Sequence, residues 1–177
     1  MQIFIPSPSC LQTARQLDKR RLNKQIIEAA QILRAIDGEG RGWLNHPATR
    51  MYRSHKLWLQ LYRACLMAFQ SGDLETAAAI SRQADAVCPP FVTGEFCRQH
   101  ARRLYTKAPE LYPQFAALGA SLENWYVVDG QILKYVNGKR FHKSDSNSCK
   151  RAVFVGRPTQ KLLFLYSFDY FLLHLPH

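Results

Sequence analysis

Nothing in this chain is spaced to hold a metal or to cradle a nucleotide. Its five cysteines, Cys10, Cys65, Cys88, Cys97 and Cys149, are scattered without a CxxC pair, and its six histidines do not cluster at ligand spacing. A structural zinc site needs closely spaced ligand pairs, so no metal and no cofactor is expected. The odd cysteine count also argues against a secreted disulfide framework. Residues 1–15 lack the basic start and apolar run of a signal peptide, and reduced thiols in a cytoplasm are the expected state. Walker, GxGxxG, GxSxG and HExxH signatures are all missing. The most apolar run, residues 162–173, is too short to span a bilayer and is interrupted by Asp169, so no membrane partner is expected.

Acidic residues are scarce as well. Thirteen Asp and Glu face 24 Lys and Arg, a formal net charge of +11. The excess is uneven: +6 over residues 1–60, +1 over 61–120 and +4 over 121–177. Solubility alone needs no such split, whereas a phosphate-binding face assembled from the two ends does. No basic amphipathic helix with a large insertable apolar face stands out to favour an anionic membrane instead. At 177 residues with 47% hydrophobic composition, the chain is long enough for one domain with a real core.

The pattern is mainly helical. Ile3-Phe4-Ile5 is a short apolar entry stopped by Pro6 and Pro8, and Ser9 with Gln12 makes a capping box. Asp18 can cap a helix in which Leu22, Ile26, Ala29, Leu33 and Ile36 form an apolar stripe, closed by Gly38. Arg21, Lys24, Glu28 and Gln31 lie opposite. Pro47, in Asn45-His46-Pro47, starts a second long helix that runs to Gly72. Asp73 caps a third, Cys88-Pro89-Pro90 breaks the chain, and a fourth covers about residues 95–107 with Arg98, Arg102 and Arg103 outward. His100, among those arginines, reads as a surface residue. The period then becomes that of strands. Residues 125–128 and 131–136 flank Asp129-Gly130, a signal for a tight hairpin. The expected architecture is a mainly α, compact single-domain helical bundle with a short C-terminal β-hairpin. It occupies residues 1–140, and a basic and apolar tail follows over 141–177.

Two readings of Glu28 stand side by side. It is one carboxylate in a run of cations, Lys19-Arg20-Arg21 and Lys24. A pair with Lys24 or Arg21 on the same face would be routine and worth only ~0.3–0.5 kcal/mol. A lone acid on a basic helix would also suit chemistry on a phosphate-backed substrate. His46 likewise reads either as a helix cap or as a contact to phosphate or substrate.

Leu17-Asp18 with Leu22 and Glu28, then Gly42-Trp43-Leu44-Asn45-His46-Pro47, residues 102–112 and Lys134-Tyr135-Val136-Asn137-Gly138-Lys139 follow in an order that resembles the pyrimidine-dimer DNA glycosylases of the phage-type endonuclease V family. The stretch Leu17-Asp18, Leu22 and Glu28 resembles the family's catalytic helix. Residues 42–59, with Gly42-Trp43-Leu44-Asn45-His46-Pro47, resemble its second long helix and the entry to it. Residues 102–112 resemble a later basic segment of bacterial members, and Lys134-Tyr135-Val136-Asn137-Gly138-Lys139 resembles the aromatic and Gly-Lys ending of the phage enzyme. The likeness covers about residues 1–115 and thins afterwards.

That resemblance implies an all-helical glycosylase that also nicks DNA at the resulting abasic site. Its nucleophile would be the α-amine, here of Met1, attacking C1′ of the damaged nucleotide to form an imine. Glu28, at the position of the family's glutamate, would assist sugar opening and elimination. An α-amine has an ordinary pKa near ~7.7–8.0, so a useful fraction is unprotonated at neutral pH. The chain departs from the phage enzyme at Gln2 and Ile27, where that enzyme carries arginines; Gln2 is also bulky enough for Met1 to be retained. Arg20, Arg21, Lys24 and Arg34 are the expected substitutes, joined as DNA contacts by Gln2, Asn45, His46, Lys134, Lys139 and Arg140. The expected partner is double-stranded DNA, bound by a monomer. The alternatives are a non-catalytic DNA-binding module on the same fold and an enzyme that processes modified bases outside repair.

Overall fold

The structure is a computed structural model that describes residues 2–39, 43–136 and 139–141. Met1, expected to carry the nucleophile, and the tail from residue 142 onward lie outside the described residues. Among the described residues six α-helices are followed by a small sheet: α1 (Cys10–Gln16), α2 (Lys19–Ile36), α3 (Pro47–Tyr52), α4 (Lys56–Gln70), α5 (Leu74–Ala86) and α6 (Gly94–Lys107). Strands β1 (Glu123–Val128), β2 (Gln131–Val136) and β3 (Lys139–Phe141) pair antiparallel in that order. The mainly helical architecture read from the sequence is the one observed, with one more strand than the expected hairpin.

Local chemistry places the helix ends. Ser9, Asp18, Asp73 and Thr93 each present a side-chain oxygen to backbone N–H groups of the first turn of α1, α2, α5 and α6, satisfying donors that a helix start otherwise leaves open. His46 does the same for α3, its Nδ1 accepting from Ala48 N at 3.1 Å, with Pro47 in the first turn. The single long helix expected after Pro47 is broken instead: a 3₁₀ turn, Arg53–His55, separates α3 from α4. This break lets Tyr52 and Trp58, on either side of it, both be buried and stack at 5.9 Å between centroids. Trp58 in turn stacks on Tyr62 at 5.2 Å.

Helix α4 sits at the centre, against α1, α2 and α5. Its buried face carries Trp58, Leu59, Tyr62, Cys65 and Leu66, and α2 presents Leu22, Ile26, Ala29 and Ile32 to the same core. The hairpin turn has positive φ at both Asp129 (53°) and Gly130 (72°), and Val128 pairs directly with Gln131. A two-residue turn of that hand matches the twist of the strands it joins, which is why Asp-Gly is favoured there. Strand β1 then packs against α3 and α6, burying Trp125, Tyr126 and Val128. Arg102 and Arg103, expected to point outward, instead tie α6 to the approach to β1. Arg102 donates to Ala120 O (3.0 Å), and Arg103 donates to Asn124 Oδ1 (3.0 Å) and Ser121 O (3.4 Å). The four described cysteines, Cys10, Cys65, Cys88 and Cys97, are free thiols, with Cys10 pushed far up by burial.

Candidate active site

The segment that leads into α1 is extended, and it is held by side chains rather than by a neighbouring strand. Ile3, Phe4 and Ile5 are all buried, so their backbone polar groups need partners inside the protein. Three helices supply them. Gln25 of α2, 1% exposed, accepts from Phe4 N through Oε1 (2.7 Å) and donates through Nε2 to Gln2 O (3.2 Å). Tyr62 of α4 donates its hydroxyl to Phe4 O (2.9 Å). His100 of α6 accepts from Ile5 N at Nδ1 (2.9 Å). Burial holds His100 at a pKa of about 3, and the imidazole is therefore neutral, as acceptance at Nδ1 requires. The surface position expected for His100 is thus wrong. It is 1% exposed because α6 turns its Phe96, His100, Leu104 side toward the N-terminal segment.

Chain ends commonly fray unless something ties them down. Here the tie leads to one carboxylate. Gln2 N donates to Glu28 Oε2 at 3.3 Å, and Gln25 Nε2 reaches the same oxygen at 3.4 Å. The other oxygen, Oε1, lies 3.7 Å from Lys24 Nζ. Of the two readings of Glu28, the ion pair is the one observed directly. Glu28 does pair with Lys24, but its side chain is only 12% exposed against 64% for Lys24, so it is no solvated surface acid. Its charge also reaches β1: Tyr126 is pushed up to about 12, first by burial and next by Glu28.

Aromatic rings continue outward from Tyr126. His46 meets it edge-on at 5.8 Å, Trp43 meets His46 at 5.1 Å, and Tyr135 meets Tyr126 at 5.4 Å. Trp43 is 46% exposed at the end of this row. Partial burial lowers the pKa of His46; with Nδ1 occupied by the Ala48 N–H, the neutral ring carries its proton on Nε2. His46 is thus a structural cap and a neighbour of the Glu28 site at once.

The remaining expected contacts divide by position. Arg20, Arg21 and Lys24 line a cleft of about 410 Å³ beside Phe4 and Gln25. Arg34, in the last turn of α2, is ten residues beyond Lys24, roughly 15 Å along the helix, and is not among the residues lining the cleft. Asn45 is exposed just before the cap of α3. Lys134 is engaged within the sheet, 3.5 Å from Glu123 Oε2 and 4.7 Å above the Trp125 ring. Lys139 and Arg140 are exposed on β3. Among the described residues, no helix is long and apolar enough to cross a membrane, and no three or more His, Cys, Asp or Glu gather as metal ligands.

Gln25, Tyr62, Tyr126, Lys107 and Tyr112 belong to this region and were not singled out by sequence, and His100 was, but as a surface residue. Gln25 alone left a trace, as a polar residue on the buried side of an apolar stripe.

Residues 1–68 match a family model described as pyrimidine dimer DNA glycosylase. The match contains Gln2, Gln25, Glu28, His46 and Tyr62, and it supports the family resemblance carried by the sequence motifs. No curated protein and no solved structure shows significant similarity to the chain.

Proposed function

We propose that this chain, with the pyrimidine dimer DNA glycosylase signature at its N-terminal end, excises a damaged or modified pyrimidine from double-stranded DNA. It then cleaves the strand at the abasic site. The observation that carries the reading is the Gln2 N–Glu28 Oε2 bond together with the three-helix grip on residues 2–5. Covalent geometry keeps the α-amine within about 4 Å of the Gln2 amide nitrogen, so a segment held this way delivers the amine to the neighbourhood of Glu28.

The chemistry follows from those two groups. The unprotonated amine attacks C1′ of the damaged nucleotide as the bond to the base breaks. The nitrogen loses its protons as the imine forms and the sugar ring opens. Glu28 stabilises the positive charge that develops at the sugar and carries protons for ring opening and for the elimination that breaks the strand. Extruding a nucleotide costs a few kcal/mol and is cheapest where a lesion has already weakened stacking. The row from Tyr126 through His46 ends in exposed Trp43, which offers a ring face for an unstacked base. Ile27, beside Glu28 and 49% exposed, adds an apolar contact where the phage enzyme has an arginine.

Glu28→Gln keeps the acceptor for Gln2 N and removes the charge. Cleavage of a duplex carrying a cyclobutane dimer or a preformed abasic site should fall by about 10²-fold or more, in the usual range for acid–base groups. Duplex affinity should persist. Near-wild-type cleavage by this variant would remove Glu28 from the mechanism, and binding by the wild-type chain without cleavage of any damaged duplex would favour a non-catalytic DNA-binding module.

A further inference from the structure

The cleft beside Glu28 has cations from two separate helices and more positive charge than the protein itself answers. Arg20, Arg21 and Lys24 come from the first turns of α2, and Lys107 from the last turn of α6; Phe4, Ala108 and Leu111 supply apolar wall, and Glu110 is the one acid among the lining residues. A cation at a helix C-terminus is favourable in itself, which accounts for Lys107 in isolation but not for three more cations around the same space. The side chains of Arg20 and Lys107 have no ion-pair or hydrogen-bond partner among the described residues. Lys107 is held below the ordinary lysine value first by partial desolvation and then by Arg103, Lys24 and Arg21, with Glu28 pulling the other way.

One of these cations is built into place. Arg21 NH1 donates to Asp18 Oδ2 at 2.7 Å, and its guanidinium lies 5.1 Å from the centre of the Tyr112 ring. The Tyr112 hydroxyl donates to the same Asp18 oxygen, and Asp18 Oδ1 caps α2 through Arg20 N (3.0 Å) and Arg21 N (3.1 Å). Opposing the burial that disfavours its charge, those bonds hold Asp18 below the usual carboxylate range, so it remains an anion that fixes the arginine. A planar guanidinium held on one side by a carboxylate and by a ring is suited to offering its free edge to a phosphate.

We infer that this cleft is a phosphate subsite: Lys107 and Arg21 clamp the DNA phosphodiester that flanks the nucleotide at Glu28, and Tyr112 is the positioning residue for Arg21. Glu28 stands one side chain behind the cleft wall, since Lys24 and Gln25 both line the cleft and both touch that carboxylate. At about 410 Å³ it has room for a phosphate with its sugar. The phosphate's identity as the one beside the attacked sugar rests on the glycosylase reading; the anion site itself does not.

The test is equilibrium binding, by fluorescence anisotropy over a range of KCl, to a duplex carrying a tetrahydrofuran abasic analogue. A second set of duplexes replaces single phosphates around the analogue with neutral methylphosphonates. Lys107→Gln should weaken binding roughly tenfold at low salt, as for one charge-assisted contact, and flatten the log–log salt slope by about one unit. One methylphosphonate next to the analogue should weaken wild-type binding and have little further effect on the variant. Tyr112→Phe keeps every charge, so its salt slope should be unchanged, with a severalfold loss of affinity confined to the same phosphate position. Unchanged affinity and slope for Lys107→Gln, or an equal methylphosphonate penalty in variant and wild type at every position, overturns the subsite. A methylphosphonate profile for Tyr112→Phe identical to wild type overturns its positioning role. Borohydride trapping by the wild-type chain tests the glycosylase reading separately. An untrapped protein that still shows the slope and phosphonate effects keeps the anion site and loses the chemistry.

Discussion

Replacing Gln25 with leucine would separate the two jobs of α2, packing and holding the chain's N-terminal segment. The side chain is 1% exposed and makes three contacts: Phe4 N at 2.7 Å, Gln2 O at 3.2 Å and Glu28 Oε2 at 3.4 Å. Leucine is close in volume, so little cavity opens. The loss is the hydrogen bonds. Phe4 N–H would be left buried without its acceptor and Gln2 C=O without that donor. A buried group stripped of its partner costs about 1–3 kcal/mol, and the half-buried carbonyl near the lower end. A stability loss of about 2–4 kcal/mol in urea unfolding is expected, with an unchanged m-value because the same surface unfolds. Amide exchange at residues 3–5 should accelerate more than exchange in α4, because the perturbation acts on the segment rather than the core. Strand cleavage should fall by more than the unfolded fraction explains, since on the proposed mechanism this segment carries the amine. Wild-type exchange at residues 3–5 together with wild-type cleavage would refute the claim that Gln25 positions the terminus.

His100 makes the same grip sensitive to acid. Its folded pKa of about 3 lies below the ordinary 6.5, so between those values the unfolded chain binds more protons. Stability should hold above about pH 6.5 and fall as pH drops toward 3, by up to about 5 kcal/mol from this group. His100→Gln, with an amide oxygen for Ile5 N, should flatten that fall in pH-dependent unfolding, and an unchanged profile would refute it. Tyr62→Phe removes the donor to Phe4 O and should cost about 1–2 kcal/mol in chemical unfolding, a full-strength loss of one buried hydrogen bond. A variant as stable as wild type would mean that this carbonyl finds another partner.

Much of the fold was legible because its signals are local. Ser9, Asp18 and Asp73 cap where their side chains can reach the next turn, and Asp129-Gly130 makes the two-residue turn that its dihedral preferences favour. The break between α3 and α4 was not legible, since no proline or glycine marks Arg53–His55; burial of Tyr52 and Trp58 on either side of it is a tertiary effect. The site divides along the same line. Glu28 could be found because a single acid in a basic run is a feature of sequence alone. Its enclosure could not, because Gln2, Gln25, Tyr62 and His100 are brought together across as many as 95 residues by packing. His100 was misjudged for a related reason: its neighbours in sequence are arginines, while its neighbours in space are Ile5, Phe4 and Phe96. Lys107 gave no signal of its own, as one cation among 24.

The central claim is that the α-amine beside Glu28 is the nucleophile, and peptide mapping of a borohydride-reduced cross-link tests it most directly. The native chain is incubated with duplex carrying an abasic site, reduced, digested and sequenced by mass spectrometry. The account predicts a sugar adduct on the Met1 nitrogen, and loss of both adduct and nicking, with DNA affinity largely kept, when the terminus is acetylated. An adduct on Lys24, Lys107 or any other lysine would contradict it.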